Sequence, residues 1–74
     1  MSGAEVISVF RSFGFEVVSS RGSHAKLRRF VGEAKQTLTV PTHAELDTGT
    51  LRAIIRHAAA FISEAELIPH FRAR

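Results

Sequence analysis

Cysteine is absent from this sequence. That excludes disulfide staples and thiolate chemistry, and it leaves a zinc site only histidine and carboxylate ligands. The lack fits a reducing cytosol, so a cytoplasmic protein is expected. No apolar run approaches the roughly 20 residues that a membrane-spanning helix needs, and nothing points to a membrane partner. The opening residues, MSGAEVISVF, lack the basic leader, apolar stretch and cleavage site of a secretory signal. Internal repeats and low-complexity linkers are also missing. One domain over residues 1–74 is therefore expected.

What is present is globular. Hydrophobic residues make up 45% of the chain and charged residues 23%, a balance that can bury a core. A chain this short buries only about 60% of its unfolded surface, so stability should be modest unless a partner adds burial. Ten Lys and Arg against seven Asp and Glu give a net charge of +3 and a pI near 10.7. The basic residues are spread from Arg11 onward rather than gathered in a tail. Such a surface suits a polyanionic partner without specifying one.

Hydrophobic spacing divides the chain into alternating elements. SGAEVISVFRSFGF reads as a helix: Ser2 and Glu5 have capping-box spacing, Val6, Ile7, Phe10 and Phe13 share a side, and Gly14 closes it. FEVVSS, HAKLRRFV and QTLTVPTH have the β-branched content and alternation of strands. From Asp47 or Thr48 a second helix begins, with Leu51, Ile54, Ile55 and Ala58 as its core stripe. SEAE opens a short third helix that Pro69 should disturb. The expected fold is α+β, in the order α-β-β-β-α: a three-stranded antiparallel sheet with helices on one face, plus a short C-terminal helix.

Register then brings distant residues together. With GEAK as a four-residue loop, Leu27 faces Val40 inside, while Arg28 faces Thr39 and His24 faces His43 outside. With Arg21-Gly22-Ser23 as the first loop, Val17 faces Leu27, Glu16 faces Arg28 and Ser20 faces His24. A one-residue slip would turn a strand inside out. Directly opposed Cβ atoms lie about 4.5–5.5 Å apart, so His24 and His43 are expected as cross-strand neighbours.

RGSHAKLRR carries the candidate chemistry. His24, Lys26, Arg28 and His43 would share the outer sheet face, with Arg21 in the adjoining turn. Metal-free RNA cleavage needs a base for the 2′-OH, an acid for the leaving 5′-oxygen and cations for the developing phosphorane charge. Histidine titrates near neutral pH and suits the proton transfers; Lys and Arg supply the charge. Gly22 can adopt a positive φ and lets a phosphate approach backbone N–H groups. Ser23 has no Ser-His-Asp arrangement around it, and a turn or ligand hydrogen bond suits it better than nucleophilic attack. For Lys26, Arg28 and Arg29, an ordinary solvated face competes evenly with phosphate contact. Arg52 and Arg56, one helical turn apart, touch RNA, an acidic partner or only water. HAELD is a conceivable metal half-site, but a polar loop entering a helix, capped by Asp47 or Thr48, explains it better. No metal and no cofactor is called for. His57 and His70 lack a supporting motif.

Four short pieces occur in order: FGF closing the first helix, GSH opening the second strand, VPTH closing the third, and GTLRAII starting the second helix. In this order they resemble the HicA (YcfA-like) toxin family of type II toxin–antitoxin systems, over roughly residues 4 to 62. The resemblance implies a fold like that of double-stranded-RNA-binding domains, endoribonuclease activity on mRNA and inhibition by a HicB-type antitoxin. It implies that His24 is the catalytic histidine, with Gly22 and Ser23 in the same motif and His43 at the VPxH position. Two other readings stand beside it: a non-catalytic RNA-binding module, and an interaction protein that only docks an antitoxin-like partner. Against the first, the second helix starts DTGTLRAII rather than with the lysines that grip duplex phosphates.

Overall fold

Local capping sets the first element of the computed structural model, which describes residues 1–72 and side chains through Phe71. Helix α1 (Gly3–Ser12) begins with a complete capping box. The Glu5 N–H donates to the Ser2 hydroxyl at 3.1 Å, and the Ser2 N–H donates to the Glu5 carboxylate at 2.8 Å. At the other end Gly14 takes φ +97°, a conformation that costs a residue without Cβ little. The chain then doubles back, and the Phe15 N–H reaches the Phe10 carbonyl at 3.1 Å. Three antiparallel strands follow in spatial order: β1 (Glu16–Arg21), β2 (His24–Val31) and β3 (Ala34–Pro41). Helices α2 (Thr48–Ala58) and α3 (Glu64–Arg72) complete the fold.

One face of the sheet is apolar and covered. Ala25, Leu27, Leu38 and Val40 bury against Val6 and Phe10 of α1, Ile54 and Ala58 of α2, and Leu67 of α3. Each fully buried Leu or Phe is worth about 1.5–3 kcal/mol. Phe10 meets Phe15 edge-on at 5.8 Å between centroids and Phe71 at 6.2 Å. This is the expected α-β-β-β-α order, consistent with a double-stranded-RNA-binding-domain-like fold, with α3 closing one side of the core.

Both hairpins are tighter than their sequence suggests. Gly22-Ser23 and Gly32-Glu33 are two-residue turns with φ of +58° and +60° at their glycines, the Gly-X pattern of type II′ turns. The four-residue GEAK loop is thus replaced by two residues, and β3 begins at Ala34 rather than Gln36. Leu27 faces Leu38, Ala25 faces Val40, and His24 faces Pro41 instead of His43. The shift is two residues, so every side chain keeps its face. In the first hairpin Glu16–Arg28 and Val17–Leu27 pair as expected, but a bulge between Val17 and Ser19 then brings Arg21, not Ser20, opposite His24.

Pro69 does not break α3, which runs through it. The ring removes one N–H from the helix interior. Leu67 and Phe71 are seated on the core on either side of it, and tertiary packing holds the helix that the proline weakens.

Arg29 is neither solvated strand face nor phosphate contact. It lies beyond Leu27 on the covered side of β2, where its Nη1 donates to the Phe13 carbonyl at 2.7 Å and its Nη2 to the Phe61 carbonyl at 3.2 Å. Its Nε donates to Gln36 Oε1 at 2.6 Å, and the guanidinium stacks 4.9 Å from the Phe15 ring centroid. One cation therefore ties together the end of α1, the turn after α2, and two strands. Charged hydrogen bonds of this kind are worth about 1.5–3 kcal/mol each before coupling. Arg29→Ala should lower unfolding stability by about 2–4 kcal/mol, read by urea melts. A loss under ~0.5 kcal/mol would show that the clamp is incidental. Conversely, Pro69→Ala should stabilise the chain by about 1–2 kcal/mol, because a helix N–H is restored against a small gain in unfolded-chain entropy. Calorimetry should show a higher Tm.

Candidate active site

The outer face of the sheet is left open to solvent. Along β2 it presents His24, Lys26, Arg28 and Phe30, opposite Pro41, Thr39, Thr37 and Lys35 of β3. At about 3.3 Å per residue, His24 and Phe30 stand roughly 20 Å apart along the strand. Phe30 is 59% exposed, with the Arg28 guanidinium 5.4 Å from its ring centroid. Arg28 also faces Glu16 across β1. Arg21 and Lys26 are exposed, so the face is cationic with an aromatic at one end.

His24 is held firmly although its side chain is exposed. It is the first residue of β2 and pairs with Arg21 on one side and Pro41 on the other. The Gly22-Ser23 turn precedes it, and the Ser23 carbonyl accepts the Thr42 N–H at 2.7 Å. Ser23 thereby fastens the turn to the end of β3, and Gly22 supplies the left-handed residue that the turn requires.

A groove of about 340 Å³ opens beside His24, where α2 passes the β3 edge of the sheet. Its walls include His24, Thr39 and Pro41 from the sheet and Thr50, Ala53 and His57 from α2. A hollow of about 380 Å³ at the other end of β2, around Gly14, Glu16, Val18, Arg28 and Phe30, has neither histidine nor hydroxyl lining it. Of these two hollows, the groove at His24 is the one that brings imidazole and hydroxyl groups together.

The remaining expected residues are more scattered. His43 lies two positions beyond the partner of His24, and its carbonyl accepts the Gly3 N–H at 2.9 Å. Gly3 is buried there, and a Cβ would run into the Pro41 carbonyl oxygen. Gly3 thus packs against the backbone where β3 ends, and His43 lies in the loop beyond Pro41. Arg52 opens with Arg56 and Glu64 onto a separate groove of about 250 Å³ between α2 and α3. His70 packs edge-on against Phe13 at 5.2 Å. In HAELD, Glu45 accepts from the Met1 amino group at 2.7 Å and Asp47 caps α2. Among the described residues no cluster of three or more His, Asp or Glu has metal-site geometry.

His57, which like His70 sits in no motif of the sequence, lines the groove with His24. Thr50, Ala53 and His57 recur at i, i+3 and i+7, a second stripe beside the buried one on α2. That spacing was legible, but its partner in the groove was not.

Residues 3–60, from the start of α1 past the end of α2, match the family model for the HicA toxin of bacterial toxin–antitoxin systems. The chain belongs to the HicA toxin family. No curated protein and no solved structure matches it. Membership in this family implies an antitoxin partner in general terms. Among the described residues no helix is long and apolar enough to cross a membrane. The α3 helix, which closes one side of the core, lies beyond the matched span.

The α2 wall of the groove depends on its cap. The Thr50 N–H donates to Asp47 Oδ1 at 2.7 Å, and this backbone hydrogen bond, helped by the Thr50 hydroxyl and the Gly49 N–H, holds the Asp47 carboxyl below its ordinary pKa. A pKa depressed in the folded state stabilises above the unfolded value and is lost as pH falls through the folded one. Asp47→Ala should therefore destabilise the protein at neutral pH, and the deficit should shrink as pH drops below the ordinary carboxylate range near 3.8. Asp47→Asn should keep most of the cap and flatten that pH dependence. Thermal melts from pH 7 to about pH 2.5 would test both.

Proposed function

We propose that this HicA-family chain is an endoribonuclease that cleaves mRNA with His24 as a catalytic residue and is held inactive by a HicB-type antitoxin in the cytoplasm. The observation that carries the reading is His24 itself: exposed, fixed by backbone pairing on both sides, and bordering a groove on a cationic sheet face. A 2′-hydroxyl attacks the adjacent phosphorus, His24 accepts its proton, and the 5′-oxygen leaves. The products carry a 2′,3′-cyclic phosphate and a 5′-hydroxyl. Arg21 and Lys26 flank His24 on the open face and supply charge to the phosphorane, with Arg28 further along the strand. Gly22 and Ser23 set the turn that presents His24. Arg52, on its separate groove, serves RNA only as a distal phosphate contact, and His43 contributes through the backbone bond that shapes the end of β3.

Phe30 adds a stacking surface for an unpaired base about 20 Å from the cleavage point, which favours single-stranded segments over duplex. The test is cleavage of a long mRNA in excess chelator by the wild type and by His24→Ala, with fragment ends mapped. Wild-type cutting to 5′-hydroxyl ends and a loss of about 10²-fold or more in the variant are expected. Folded wild-type protein that binds RNA without cutting it would replace this reading with a non-catalytic RNA-binding module. Binding to an antitoxin without affinity for RNA would leave a docking protein.

A further inference from the structure

We propose that His57 is the second catalytic histidine of the groove, the general acid that protonates the leaving 5′-oxygen while His24 takes the 2′-hydroxyl proton. The inference rests on the ribonuclease reading and completes it. In-line cleavage moves two protons at opposite ends of one phosphorus, and a single imidazole cannot stand at both ends during one displacement. The sheet contributes one histidine to the lining of the groove and α2 contributes another. No carboxylate lines this groove, so among its described walls the imidazoles of His24 and His57 are the side chains suited to act as base and acid.

The other histidines are placed elsewhere. His43 is outside the groove, beyond the Pro41 position that pairs with His24, and His70 packs on Phe13. His57 occupies the last turn of α2. Its ring lies 5.8 Å from that of Phe61, which limits its swing without covering it. Thr39 and Thr50 add hydroxyls from the two walls, suited to the non-bridging phosphate oxygens.

The step balances. The 2′-oxygen forms a bond to phosphorus as its proton passes to His24, and the bond from phosphorus to the 5′-oxygen breaks as the His57 proton passes to that oxygen. One proton is taken up and one released, and no further reactant is consumed.

The experiment uses the full chain and an oligoribonucleotide that the wild type cuts at a mapped bond, made with either the natural 5′-oxygen or a bridging 5′-sulfur at that bond. A thiolate leaves without needing an acid. His57→Ala and His57→Gln should each lose about 10²-fold or more on the oxygen substrate and recover to within about tenfold of the wild type on the sulfur one. His24→Ala should stay defective on both. His57 is exposed, so both variants should melt with the wild type. Variants of His57 that cut the natural substrate within about threefold of the wild type would overturn the assignment and leave His24 standing. An equal loss on both substrates would overturn the acid role. A wild type that cuts neither RNA would bring down the ribonuclease reading itself.

Discussion

The guanidinium of Arg29 is the fastening on which the other parts of this small fold depend. A core built, among the described residues, on a dozen buried apolar side chains leaves little surplus in a chain of 74 residues. Arg29 reaches past the last buried pair of β2 and binds two carbonyls, from Phe13 and Phe61, that lie 48 residues apart in the chain. Both carbonyls belong to segments where a helix has just ended and intrahelical donors have run out. The stacking on Phe15 keeps the planar group aligned. Lysine, with a point charge in place of a fork, would not join three acceptors in this way.

That clamp bears on the candidate chemistry through α2. The groove at His24 exists because α2 passes the sheet edge at a set distance, and α2 is held at both ends. Asp47 caps its start and Arg29 grips the turn just past its end. Gly3 does the corresponding work on the sheet side, where its missing Cβ lets α1 approach the Pro41 carbonyl and its N–H donates to the His43 carbonyl. The exposed histidines are thus positioned by buried or backbone interactions that never touch a substrate. Precision at a reactive site needs such support, since side chains in solvent do not hold their own geometry.

Much of this was legible along the chain. The capping box at Ser2 and Glu5, the apolar stripes of α1 and α2 and the glycine after Phe13 are local signals, and each appears where its spacing puts it. The GSH motif and its family resemblance marked His24. The register of β2 against β3 was not legible, because a slip of two residues leaves inner and outer faces unchanged and hydrophobic patterning cannot detect it. The Gly-X turns would have chosen correctly, since two-residue hairpins prefer that pattern. Arg29 was also opaque: strand parity put it on the inner side, but a basic residue in a basic run reads as surface until its acceptors are known.

By itself the sequence determined the element order, the apolar faces, the family and the histidine that heads β2, because capping, periodicity and turn chemistry act over a few neighbouring residues. The tertiary structure alone decided that Pro41 rather than His43 faces His24, that Arg29 is a strut, that Pro69 is tolerated inside α3, and that His57 shares a groove with His24. These four outcomes depend on the distances between segments brought together only when the core closes, and no spacing along the chain encodes a distance across it.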